Sequence, residues 1–283
     1  MGSDLLITGV VLGAALMHAA WNALVKTGDD RVVTLALLST VWLVIGGALV
    51  AVLPVPARAA WPFVLTSVGL HYVYLLGLLW MYREGDLSHV YPIARGSAPL
   101  LLAGGSVLVA GEVLPPPEWA GVALVSLGIL SLALQGGGRR RTAWRPTGAA
   151  LFTGVVIAGY TLTDGLGVRH TGNAVAYAAW LFCLQGVPWV AVLLWLRLRQ
   201  PARVPARLVG PGLLAGGLSM LAYGLVIWAL SLAPMAPIAA LRETGVIFAA
   251  AIGALKLGEP FGRRRILAAA LVACGVAVLN WPG

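Results

Sequence analysis

Residues 91–112 read YPIARGSAPLLLAGGSVLVAGE, and residues 236–259 read APIAALRETGVIFAAAIGALKLGE. Each is an apolar run long enough to cross a bilayer, which takes about 20 residues. Each carries one arginine in its first half, and each ends on Gly-Glu. Arg95 and Arg242 are 147 residues apart, as are Gly111-Glu112 and Gly258-Glu259, and as are Gly128 and Gly275. One run earlier, Gly69 and Gly217, and Trp80 and Trp228, match at an offset of 148. Several ordered pairs at one offset indicate an internal duplication.

The whole chain has the composition of these two runs. Of its 283 residues, 60% are hydrophobic and 10% charged, and the mean hydropathy is +0.91. A soluble domain carries about 25% charged residues, so this chain could not clothe a water-facing surface. A soluble enzyme, a disordered chain and a disulfide-rich secreted module are excluded. Cys183 and Cys274 lie in apolar runs and read as small core residues, with no disulfide framework. The 36 glycines suit helices that approach closely in lipid. The start, MGSDLLITGVVLG, lacks a basic segment and its apolar run is too long for a cleavable signal.

Apolar runs separated by Pro, Gly and polar residues predict ten spans, at 4–25, 32–53, 62–82, 87–110, 118–135, 147–168, 173–196, 208–231, 235–257 and 264–281. Period-2 alternation is absent, which excludes a strand barrel. The expected fold is an all-α integral membrane protein of ten transmembrane helices. Residues 1–135 form the first repeat, 136–146 a basic linker and 147–283 the second repeat. Five is an odd number, so the second copy enters the membrane upside down. Such inverted repeats recur in secondary transporters, with sites near the midplane between the repeats.

Fifteen basic residues fall in the odd-to-even loops: Lys26, Arg31, Arg83, Arg139, Arg140, Arg141, Arg145, Arg197, Arg199, Arg203, Arg207, Lys256, Arg263, Arg264 and Arg265. The opposite loops hold Arg58 and Arg169. By the positive-inside rule the first set is cytoplasmic and both termini face outward, across a plasma or inner membrane. The net charge of +9 then reads as contact with anionic lipid headgroups, and no nucleic-acid partner is expected.

HAAWNALVK (18–26), YPIARGSAPLL (91–101), Gly111-Glu112 and APIAALRETGVIFAAAIGALKLGE (236–259) together resemble the EamA family of the drug/metabolite transporter superfamily. The likeness runs over essentially the whole chain. It implies two five-helix EamA repeats and transport of a small molecule, and it leaves the cargo open, because members carry amino acids, sugars, nucleotide precursors, lipid-linked sugars and drugs. The resemblance implies cytoplasmic termini; the loop charges argue the reverse.

Ionisable groups inside spans cost roughly 2.5–3.5 kcal/mol each at a helix centre on insertion scales, so they carry information. Arg95 and Arg242 lie about 12 and 10 Å into spans 4 and 9 at 1.5 Å per residue, approaching the middle from opposite sides. Either they contact a substrate carboxylate or phosphate, which the planar guanidinium binds bidentately, or they pair with a carboxylate and lock helices. Glu243 is about 100° around the helix from Arg242 and reads as the neutraliser of Arg95 or Arg242 from a neighbouring helix, with proton coupling as the alternative. Asp164, near the outer end of span 6, reads as a solvated carboxylate or a second proton-coupling candidate. His18, Trp21 and Asn22 share one face of span 1 and suggest a cavity wall, with His18 also able to carry a proton. His71 and Tyr74 share a face of span 3, with Tyr72 on another. Tyr160 shares a face with Asp164 on span 6, and Tyr223 with Ser219 on span 8. Tyr91 and Trp228 complete the set of candidate substrate contacts. Spans 2, 5, 7 and 10 read as scaffold or lipid-facing.

Glu112 and Glu259 precede proline-containing turns and suit capping of the following helix. Pro92, Pro99, Pro234 and Pro237 predict kinks in spans 4 and 9. HExxH, GxSxG, Walker A and CxxC motifs are absent, and the four histidines fall in separate elements. No catalytic residue, metal or cofactor is expected. The favoured reading is a secondary transporter, an exporter of small amphipathic or anionic/zwitterionic, amino-acid-like compounds working by alternating access. A passive channel and, further off, an intramembrane lipid-modifying enzyme are the alternatives. The glycines of spans 5 and 10 suit either a homodimer contact or packing within a monomer.

Overall fold

A computed structural model of the chain describes residues 2–133, 144–200, 204–257 and 262–281. These residues are helical apart from short turns. The helices are α1 (Gly2–Thr27), α2 (Arg31–Val52), α3 (Trp61–Glu84), α4 (Leu87–Ala110), α5 (Pro116–Ala133), α6 (Trp144–Thr171), α7 (Ala174–Arg199), α8 (Ala206–Leu230), α9 (Met235–Glu243), α10 (Gly245–Leu257) and α11 (Arg263–Leu279). Among the described residues, nine stretches are long and apolar enough to cross a membrane; α11, with 17 residues, lies at the lower limit. Arg139–Arg141, Arg203, Glu259 and most of the linker lie outside the described residues, as does the side chain of Lys256.

Local chemistry sets the ends. The Asp30 carboxylate accepts from the backbone N–H groups of Val32 and Val33 and starts α2, and the Asn173 side chain accepts from that of Ala176 and starts α7. Gly111, at φ 65°, ends α4, a left-handed stop that a side chain would resist. Two boundaries depart from the sequence reading. The linker is shorter than expected, because residues 144–146 already form the first turn of α6. Span 9 is two helices, broken at Thr244, whose backbone N–H and hydroxyl both donate to the carbonyl of Leu241. Those bonds tighten the turn and end α9 directly after Arg242 and Glu243.

Cross-chain contacts define two ends of the bundle. At one, Thr8 donates to Asn280, Arg169 pairs with Glu112, and Phe63 stacks on His170. This end holds both termini. At the other, Arg207 pairs with Asp29, and His89 meets the carbonyl of Ala133. The described basic loop residues, from Lys26 and Arg31 to Arg263–Arg265, lie at this basic end.

Several packing pairs recur when the two halves are exchanged. α2 lies against α7 and α5 against α11; α3 packs on α6 as α8 packs on α1, and α4 packs on α6 as α9 and α10 pack on α1. Glycines open the self-paired contacts. A Cβ at Gly128 would sit 2.9 Å from Val272 and 3.1 Å from the carbonyl of Ala268, and one at Gly275 would sit 2.8 Å from the backbone of Val125. The glycines 147 residues apart therefore do the same job on facing helices, and they do it inside the chain.

The buried core is unevenly divided. A large cluster at the termini end joins Ile7, Val11, Val64, Leu102, Val168, Tyr177, Leu230, Met235 and Ile238, from seven helices. At the basic end the core splits into two clusters. One lies among α2, α7 and α8 around Leu37, Leu196 and Leu208; the other lies among α3, α4, α5 and α6 around Met81, Ile93 and Ala149. The gap between them positions the site.

Candidate functional site

Arg95, Arg242 and Glu243 meet at the centre of the bundle, 3%, 4% and 0% exposed. Glu243 Oε2 lies 2.6 Å from Arg95 Nε. Its Oε1 accepts from Arg242 Nη2 at 3.1 Å and Nε at 3.3 Å. One carboxylate thus serves two guanidiniums, and the cluster keeps one positive charge. The sequence reading made Glu243 the neutraliser of Arg95 or Arg242 from a neighbouring helix; it stands against both, and Arg242 is on its own helix. α9 ends at these two residues. Arg95 Nη2 lies 3.4 Å from His18 Nε2, where it can donate to the ring.

A cavity of about 150 Å³ adjoins the cluster. Arg95 and Arg242 line it, with His18, Trp21, His71, Tyr74, Tyr160 and Tyr223. Its aromatic wall is closely built. His71 stacks on Tyr160 with centroids 4.2 Å apart. Tyr74 and Tyr223 meet Tyr160 edge-on. The Arg242 guanidinium lies 5.7 Å from the Tyr160 centroid and 5.9 Å from that of Tyr223, within reach of cation–π attraction.

Eight sequence-based candidates therefore share one cavity wall, while five lie elsewhere. Asn22 donates back to the carbonyl of His18. Tyr91 lies beneath Arg95, its ring 5.9 Å from the guanidinium. Trp228 packs against the termini-end core. Glu243 lies behind the two arginines. Asp164 is 0% exposed, not solvated as its position near a helix end suggested. Its two oxygens accept from the hydroxyls of Tyr177 and Tyr223, because α7 and α8 cover the last turns of α6.

The assignment of α2 and α7 to scaffold is also corrected. Leu35, Leu38, Ser39 and Trp42 of α2, with Phe182, Gln185 and Trp189 of α7, line the cavity, as do Tyr72, Leu75 and Ser219. Most of these are residues that a lipid-facing helix would carry too. Ser39 and Gln185, buried polar residues in apolar runs, were the one available signal. Trp42 Nε1 donates to Ser219 at 2.9 Å and ties α2 to α8. Tyr72 donates to the carbonyl of Gln185. The indole N–H of Trp21 and the amide nitrogen of Gln185 are buried without a protein partner.

The cavity is one-sided along the bundle. On α1, the core residues Ile7, Val11 and Ala14 lie toward the termini end and His18 and Trp21 beyond them. On α8, which runs the other way, Ser219 and Tyr223 precede the core residues Val226, Ile227 and Leu230. The termini end is plugged, and the cavity extends between the two basic-end clusters. Glu112 secures the plug. It accepts from the backbone N–H of Met235 with both oxygens, at 3.2 and 3.0 Å, and pairs with Arg169 at 2.7 Å. It caps α9, and not α5, the following helix, as the sequence suggested; Gly111 turns the chain so that Glu112 faces the other half. Its counterpart Glu259 lies outside the described residues.

A multi-span helical membrane protein with an aromatic-walled cavity at the centre of the bundle is the class that this geometry defines. Residues 147–281, just under half of the chain, match the EamA-like transporter family. Twenty-eight chains of solved structures match the fold. One, a crystal structure described only as that of a protein, superposes with a TM-score of 0.72 over 99% of this chain and 97% of its own, at 18% identity. No curated protein matches in sequence.

Proposed function

We propose that the chain is a secondary transporter that exports small amphipathic anionic or zwitterionic compounds through the central cavity. The observation that carries this reading is the shared carboxylate: two arginines from matching positions in the two halves converge on Glu243 beside a cavity plugged at one end only. A site held by both halves is where their relative movement exchanges access between the two faces of the membrane. The two units, residues 1–135 and 147–283, act as inverted repeats, with the packing pairs exchanged between halves in support. His18, Trp21, His71, Tyr74, Arg95, Tyr160, Tyr223 and Arg242 form the substrate site. The positive-inside rule puts the basic end in the cytoplasm and both termini outside, so the cavity in this structure faces the side from which an exporter loads. Glu243 is held by two cations, whereas Asp164 is held by the hydroxyls of Ser67, Tyr177 and Tyr223 with His71 facing it, and is the better candidate for proton coupling.

Purified protein in proteoliposomes tests the reading. Saturable uptake accelerated by unlabelled substrate on the far side supports a carrier; flux that never saturates overturns it. A reporter fused after Gly283 that is active only in the cytoplasm refutes the orientation.

A further inference from the structure

We propose that the cavity selects organic monoanions, a carboxylate on a flat apolar body, and rejects amines and zwitterions. The inference rests on the carrier reading above and narrows its cargo.

The charge inventory is one-sided. Two guanidiniums and one carboxylate leave one unmatched positive charge. Among the described residues no acid lines the cavity: Glu243 stands behind the arginines, and Asp164 is enclosed by Ser67, Tyr177 and Tyr223. An entering ammonium would find no counter-ion. The aromatic faces nearest the charged cluster, those of Tyr160 and Tyr223, already face Arg242, so an ammonium there would also meet a guanidinium. A carboxylate meets the opposite situation. Arg95 spends Nε on Glu243 and Nη2 on His18, and Arg242 spends Nε and Nη2 on Glu243. Both arginines nevertheless line the cavity, where an entering carboxylate would meet their surplus charge. The unpartnered indole of Trp21, which can only donate, adds a further N–H.

Size and shape fix the rest. A 150 Å³ cavity takes a ring of about benzene's size. The stacked and edge-on rings of His71, Tyr160 and Tyr74 offer a flat body the geometry that aromatic pairs prefer.

Equilibrium binding to the purified wild-type protein at neutral pH tests this with butyrate and benzoate, their amine counterparts butylamine and benzylamine, and phenylalanine as the zwitterion. The carboxylates are expected to bind at least tenfold more tightly than the matched amines, and benzoate more tightly than phenylalanine. An amine or phenylalanine that equals its carboxylate, or failure of both carboxylates to bind, overturns the proposal. The same compounds are then run in proteoliposome counterflow. Phenylalanine counterflow without benzoate counterflow overturns the charge selection and leaves the carrier standing. Benzoate binding without saturable flux of any compound overturns the carrier and leaves the ligand class standing. Arg242→Gln, with its melting curve measured in parallel, is expected to lower benzoate affinity at least tenfold; unchanged affinity in the folded variant counts against the site.

Discussion

Glu243 and Arg242 touch each other, yet their removal is expected to have opposite consequences. Glu243→Gln leaves two guanidiniums, each under 5% exposed, with no counter-charge. Stripping one partner from a buried ion pair costs about 3–5 kcal/mol. Arg242→Gln removes the surplus cation and leaves Arg95 and Glu243 as a neutral pair at 2.6 Å. The loss there is the contact at Glu243 Oε1, about 1.5–3 kcal/mol for a charged hydrogen bond. At about 2–4 °C per kcal/mol for a chain of 150–250 residues, Glu243→Gln should lower the melting temperature by ~10 °C and Arg242→Gln by about half as much. Thermal unfolding in detergent, followed by tryptophan fluorescence, separates the two. Function should rank the other way per degree lost: Arg242→Gln should abolish saturable flux while remaining the more stable protein. Equal destabilisation by the two variants would refute the shared-carboxylate account, since it would mean that the charge surplus is not balanced on Glu243.

Three further outcomes are expected. Gly275→Leu should destabilise by about 1–3 kcal/mol through overpacking, because its Cβ would meet the backbone of Val125 at 2.8 Å; Gly217→Ala, with nothing within 4 Å, should leave the melting curve unchanged. Arg169→Gln should loosen the termini-end plug, read as faster labelling by a membrane-impermeant maleimide of a cysteine placed at Phe63, with little change in melting temperature because Arg169 is a third exposed. Tyr177→Phe and Tyr223→Phe should both weaken the protein by about 1–3 kcal/mol, each removing one of the hydroxyls that donate to Asp164. Only the second should also alter transport kinetics, since Tyr223 lines the cavity and Tyr177 does not.

The helices were legible because runs of about 20 apolar residues have no other stable home, and the internal offset tied Arg95 to Arg242 before any coordinates. The polar face of α1 was readable because His18 and Trp21 fall at helical spacing. The wall contributed by α2 and α7 was not readable. Leu35, Leu38 and Phe182 have the same chemistry whether they face a cavity or lipid, and only the packing of α2 on α7 and α8 tells the two apart. The burial of Asp164 was hidden for a related reason: its partners, Tyr177 and Tyr223, come from two other helices. The break at Thr244 lies in an unbroken apolar run, and the tightened turn that makes it is a bond geometry, not a composition.

The offset that pairs Arg95 with Arg242 pairs Glu243 with Gly96. A Cβ at position 96 would come within 2.8 Å of Leu130 and 3.1 Å of its backbone nitrogen, so the seam with α5 leaves no room there for an acid. Twin halves thus deliver cations in duplicate and an anion in single copy, and the sign of the cargo comes down to a place where the twins differ. Engineering a cavity that prefers the opposite charge would begin at the α4–α5 seam, away from every aromatic ring in the wall.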